Sequence, residues 1–114
     1  MQEVRWPGEW LRGVLELCVL GVLADGPTYG YAVAQRLADA GLGTVKGGTL
    51  YPLLARLDAD GLVQSSWHAG EGGPGRKYFA LTAAGRRELS ARARLWGQFV
   101  EGTWRLVPRE EEMQ

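Results

Sequence analysis

Two short stretches of this chain carry residue types suited to gripping a phosphate backbone. The first is Lys46-Gly47-Gly48-Thr49-Leu50-Tyr51-Pro52, which opens an apolar, helix-like run. Glycines there let a backbone approach phosphate closely, and the N-terminus of the helix that follows favours an anion. Thr49 and Tyr51 can hydrogen-bond to phosphate oxygens or base edges, while Lys46 adds a point charge. The same residues also suit a plain N-capping turn, and the two roles are compatible. The second stretch is Gly72-Gly73-Pro74-Gly75-Arg76-Lys77, which sets two cations at a glycine-rich tip. Such a tip can reach DNA backbone or a minor groove; a solvated turn with idle charges is the plainer alternative.

Other chemistries fail on spacing. Gly70-x-Gly72-x-x-Gly75 matches the dinucleotide-binding fingerprint in form. That motif must follow a strand and open a helix, whereas here it contains Pro74 and precedes the strand-like run RKYFAL. A P-loop would need Gly-Lys-Ser/Thr where Gly75-Arg76-Lys77-Tyr78 stands. Cys18 is the one cysteine and His68 the one histidine, so neither a disulfide nor a zinc site is expected. Cys18 sits on an apolar helical face and reads as a small buried hydrophobe. No nucleophile, base and orienting group can be assembled from these two residues. The chain is not expected to be an enzyme, nor to carry a metal or cofactor.

The elements that would position the two stretches follow from periodicity. Residues 9–24 read as a helix, with Trp10, Leu11, Val14, Leu15 and Cys18 on one face and Leu17, Leu20 and Leu23 on another. A helix buried on two sides in so short a chain suggests that the first face meets another subunit. Asp25-Gly26-Pro27-Thr28 reads as a turn with Thr28 capping a helix from Tyr29 to Ala40, inward at Val33 and Leu37 and ended by Gly41 and Gly43. A second helix follows, with Leu50, Leu53, Leu54 and Leu57 as its stripe, Gly61 as its stop and Pro52 in about its first turn. Two short helices across a tight glycine-containing link form a helix-turn-helix pattern. Residues 62–68 and 76–82 alternate as the strands of a hairpin. Thr82 caps a last helix from Ala83 to Val107, ended by Pro108 and about 37 Å long at 1.5 Å per residue. Its stripe runs through Leu89, Trp96, Phe99, Val100, Thr103, Leu106 and Val107. A helix longer than the domain needs usually packs on a partner helix.

The expected fold class is mainly α with a small β component: a winged helix-turn-helix over 1–82, a dimerisation helix over 83–108 and a frayed tail over 109–114. At 114 residues and 46% hydrophobic content the chain suits one folded domain plus one appended helix. The apolar run from Val14 to Leu23 is too short for a bilayer and is interrupted by Glu16 and Gly21, so a soluble, cytoplasmic protein is expected. Thirteen basic residues balance thirteen acidic ones. Distribution matters more than the total: Lys46, Arg56, Arg76 and Lys77 slightly outnumber Asp58, Asp60 and Glu71 in the middle of the chain, and its only lysines flank that segment.

Five tryptophans are the remaining signal. Trp10 and Trp96 fall on the stripes assigned to dimerisation. Indoles there fit two readings: plain interface core, or the walls of a flat cavity that stacks an aromatic effector. Leu11, Val14, Leu15, Cys18, Phe99 and Val100 would complete that lining. Trp67 belongs to the hairpin, and Trp6 and Trp104 fit either reading.

The runs WLRGVLELCVLGVL, GPTYGYAVAQRL, GGTLYPLLARLDADGLV and GPGRKYFALTAAGRREL, with Trp96 beyond them, resemble the PadR-family transcriptional regulators over roughly residues 9–96. The short C-terminal part resembles the compact subfamily. This resemblance implies a homodimeric winged-helix repressor of genes for stress, detoxification or efflux, bound to a pseudo-palindromic double-stranded operator. Tyr29, Thr49, Tyr51 and Pro52, with Arg76 and Lys77, match positions that the family uses against DNA, to which the reading above adds Lys46 and Gly48. Trp96 is similar to a tryptophan that some multidrug-binding members stack on planar ligands between subunits. Tyr78-Phe79 stands where the family commonly has two tyrosines, which removes a hydroxyl but keeps the aromatic packing. An effector-independent regulator and a winged helix used only for protein contact are the alternatives.

Overall fold

The computed structural model describes residues 6–70 and 73–113. Gly72 of the wing tip, Glu71 beside it and the first five residues lie outside the described residues. Helices α1 (Gly8–Leu23), α2 (Gly30–Leu37) and α3 (Gly47–Ala59) enclose the core. A three-stranded antiparallel sheet is made by β1 (Thr28–Tyr29), β2 (Val63–His68) and β3 (Arg76–Leu81), in the order β1-β3-β2. Helix α4 (Ala83–Leu106) leaves this body as a projection and makes the molecule 59 Å long. This is the winged helix-turn-helix with a long C-terminal helix.

The core follows the apolar spacing. Leu50, Leu53, Leu54 and Leu57 of α3 are all buried, against Val33 and Leu37 of α2, Val63 of β2 and Phe79 of β3. α1 adds Leu15, Val19, Leu20, Val22 and Leu23. The buried set therefore shifts toward the helix's C-terminal half, and Leu15, expected on the subunit-facing side, belongs to the core. In a helix apolar almost all round, periodicity alone does not say which face turns inward.

Helix ends follow local chemistry. Gly61 has φ +76, and the N–H groups of Gly61 and Leu62 donate to the carbonyls of Asp58 and Leu57. This is the left-handed close that ends a helix with both carbonyls satisfied. Thr82 Oγ1 accepts the Gly85 N–H at 3.0 Å and donates to the Gly61 carbonyl at 2.6 Å. The start of α4 is thereby fastened to the end of α3. Gly85 has to be a glycine, because any Cβ there would run into the Leu62 carbonyl.

Four expectations are corrected. Thr28 does not cap α2: it lies in β1, paired with Phe79, and Tyr29 takes the N-cap position without a side-chain hydrogen bond. α2 ends at Leu37 rather than Ala40, and Ala38–Leu42 continues as a wider turn closed by Gly41 at φ +93. Pro52 lies in the second turn of α3, not the first. It supplies no N–H to the carbonyl of Gly48, and Gly48 is exposed, which leaves that group to water. The tail after Pro108 does not fray throughout. Arg109 lies 4.3 Å over the Trp104 ring, and its N–H donates to the Glu112 carboxylate across the turn Glu110–Glu112.

α4 is joined to the body by charge as well. Arg92 donates to Glu88 at 2.7 Å and reaches Glu16 of α1 at 3.2 Å, while Arg56 of α3 approaches the same Glu16 carboxylate at 3.6 Å. The Glu88 hydrogen bond holds the Arg92 guanidinium above its ordinary pKa.

Candidate nucleic-acid interface

The first stretch forms the N-terminal turns of α3 and lies open to solvent. Lys46, Gly47, Gly48, Thr49, Tyr51 and Pro52 are all exposed, while Leu50 between them is buried and anchors the turn. Lys46 is extended and accepts the N–H groups of Thr49 and Leu50 on its carbonyl at 3.0 Å. No side chain caps this end. The first N–H groups of a helix have no intrahelical partner, so this end presents donors and partial positive charge outward.

Tyr51 is held by a contact that only glycine permits. Its ring lies so close to Gly30 that a Cβ there would sit 2.6 Å from the hydroxyl and ring carbons. The recognition helix thus seats its tyrosine on the start of α2.

The second stretch is the distal end of the wing. Arg76 and Lys77 are exposed at the start of β3, opposite His68 and Trp67 of β2. The Arg76 guanidinium stacks 4.6 Å over the Tyr29 ring, which lies 5.5 Å from Tyr78. The Lys77 ammonium lies 5.9 Å from the Phe79 ring. Neither cation, nor Lys46, forms an ion pair among the described residues. Unneutralised cations on ordered strands remain available to an external anion.

Tyr51 of the first stretch and Arg76 and Lys77 of the second line one groove, about 710 Å³ in volume, with Tyr29, Tyr31 and Trp67. Tyr31 and Trp67 had no role from sequence reasoning. Tyr31 was legible as the outward residue of a helix whose Val33 and Leu37 point inward. Trp67 needed the strand register, which sets it opposite Lys77. His68 is absorbed into the wing surface, 3.1 Å from the Ser66 hydroxyl and stacked 4.5 Å from Tyr78.

The residues of the second candidate site divide between two helices. Trp10, Trp96 and Phe99 are exposed; Leu11, Val14, Cys18 and Val100 are half-buried. Leu11 and Cys18 pack against the core, and Leu15 is part of it, so Leu15 is removed from any effector lining. Burial raises the pKa of the Cys18 thiol, which disfavours the reactive thiolate. On α4, Leu95, Trp96, Phe99 and Leu106 form an exposed apolar strip, with Trp104 exposed beside the Arg109 guanidinium and Val107 exposed just past the helix end. No helix among the described residues is long and apolar enough to cross a membrane.

A mostly helical body, a small antiparallel wing and a projecting helix define a winged helix-turn-helix protein. The residue pattern of the Transcriptional regulator PadR-like family matches residues 19–91, and the chain belongs to that family. It is 40% identical over 82 residues to a transcriptional regulator of Mycobacterium tuberculosis, covering 72% of this chain and 75% of that one. It is 39% identical over 99 residues to an uncharacterized transposon protein of Streptomyces fradiae, covering 83% of this chain but only 27% of that longer protein. The crystal structure of a PadR family regulator from Eggerthella lenta superimposes with a TM-score of 0.80 at 38% identity, covering 90% of this chain and 88% of the other. Bacillus subtilis PadR, solved in complex with operator DNA, matches with a TM-score of 0.64 at 26% identity, over 70% of this chain and 46% of that one.

Proposed function

We propose that this chain binds operator DNA as a homodimeric repressor, with α3 in the major groove and the wing against flanking backbone. The observation that carries this reading is the groove lined by Tyr51 of α3 and by Arg76 and Lys77 of the wing, together with the exposure of Lys46 and Thr49 at the start of the same helix, with Lys46, Arg76 and Lys77 in no ion pair among the described residues. Gly48 leaves the backbone of that turn open to a phosphate, and the Tyr29 ring packs against the Arg76 guanidinium. The Bacillus subtilis relative bound to operator DNA supports the same placement. Net neutrality is no obstacle, because contacts to phosphate depend on local charge.

The bare apolar strip of α4 supports the dimer, since an exposed patch of that size marks an interaction surface. Two recognition helices would then enter successive major grooves about 34 Å apart on a pseudo-palindromic site. An aromatic effector between the subunits, against Trp10, Leu11, Val14, Cys18, Trp96, Phe99 and Val100, would change the wing spacing and lower operator affinity. If planar aromatic ligands quench tryptophan fluorescence but leave operator affinity unchanged, the effector step is wrong.

DNA binding is tested by anisotropy titration of a labelled fragment from upstream of the protein's own gene, at several salt concentrations. The expected result is competitor-resistant binding that weakens steeply with salt. Binding to the upstream fragment no tighter than to random duplex would favour a winged helix used for protein contact.

A further inference from the structure

We infer that the groove between the wing and the recognition helix seats one sugar–phosphate strand of the duplex, with Trp67 and Tyr31 packed against it. This rests on the DNA-binding reading and adds two residues to it. Trp67 lies directly opposite Lys77 in the β2–β3 ladder, so indole and ammonium leave the sheet on the same face. Gly75 lies beside the indole: a Cβ there would crowd the His68 carbonyl at 3.0 Å and touch the ring at 3.7 Å, an ordinary contact. On the facing wall, Tyr31 follows Gly30, whose missing side chain lets Tyr51 press inward. Tyr31 and Trp67 are each 71% exposed and Tyr51 52%. Each ring is thus open to solvent on at least part of its surface. Three flat rings therefore line a groove whose rim carries Arg76 and Lys77.

The position of the groove selects the occupant. α3 is placed to read a major groove and the wing to reach the adjacent backbone. The strand that borders that groove then has to pass between α3 and the wing, over Trp67 and Tyr31. Deoxyribose offers apolar faces to the rings. Phosphate oxygens accept from the indole N–H, the tyrosine hydroxyls and the two cations. Contacts of this kind fix register without reading sequence.

The test compares Trp67→Ala, Tyr31→Ala and Arg76→Ala by anisotropy on operator and random duplexes over a range of salt. Trp67→Ala should weaken both duplexes by the same factor, about tenfold, with an unchanged salt slope because no charge is lost. Tyr31→Ala should behave alike with a smaller loss. Arg76→Ala should instead lower the slope by about one. Trp67→Phe keeps a ring and should retain most of the affinity. A second measurement stands even if an alanine variant misfolds: the fluorescence difference between wild type and Trp67→Phe isolates this indole, and DNA should shield it from acrylamide. Wild-type affinity in Trp67→Ala, a loss confined to the operator, or an indole still open to acrylamide in the complex overturns the inference alone. Failure of the wild type to bind any duplex overturns the DNA-binding reading as well.

Discussion

The winged-helix body and the outer part of α4 contain similar apolar residues and treat them in opposite ways. In the body, Leu20, Leu54, Leu57 and Val33 are fully sealed, and α1, α2, α3, β2 and β3 all contribute buried apolar residues to one interior. On α4 only Gly85 is buried, while Phe99 is 73% and Leu95 63% exposed. The body is therefore a finished domain whose outer residues are free to serve recognition. The outer half of α4 leaves its apolar residues exposed, although it is ordered as a helix by its own backbone and by its fastening at Thr82, Gly85 and Arg92. The dimer proposed above would cover them.

Five substitutions break or sharpen this contrast. Leu54→Ala opens a cavity in a sealed core and should cost about 2–5 kcal/mol in urea-induced unfolding. Phe99→Glu touches no core, so it should leave a folded chain but raise the dimer dissociation constant about a hundredfold or more in sedimentation equilibrium, because the new charge would be buried unpaired. Gly85→Ala drives a Cβ into the Leu62 carbonyl and should lower stability by about 1–3 kcal/mol, visible as a fall in the thermal midpoint. Lys77→Ala removes one wing cation; the salt dependence of operator binding should flatten by about one counterion while the melting temperature holds. Glu16→Gln, which releases Arg56 and Arg92 from a partly exposed carboxylate, should change unfolding by less than about 1 kcal/mol, an effect that high salt erases.

What could be read from residues alone was the local part. The Leu50, Leu53, Leu54, Leu57 spacing defines α3 because helix period and burial agree there, and Thr82 announces α4 through a cap that depends on its own neighbours. Val107, which precedes Pro108, is extended, so the helix ends one residue sooner than its apolar stripe suggested. Features made by distant pairing were not legible. Thr28 reads as a cap until Phe79 is brought beside it, and a two-residue strand has no periodicity of its own. Leu15 and Val14 are neighbours of like character, yet one is buried and the other half-exposed, which depends on where α2 and β3 come to rest. Of the candidate interface, Lys46, Thr49, Tyr51, Arg76 and Lys77 came from residue type and spacing. Tyr31 could be read as an outward helical residue, but its place in the groove, like that of Trp67, depended on the strand register and on the Tyr51–Gly30 contact.

The central claim is that a finished DNA-reading body is paired with an unfinished α4 that a second copy completes. Sedimentation velocity of the protein with a duplex from upstream of its gene tests both halves together. The account predicts a dimer in the free protein and two chains on each duplex, with Phe99→Glu yielding monomers that bind weakly. A free chain that stays monomeric at micromolar concentration, or one chain bound tightly to each duplex, would contradict it.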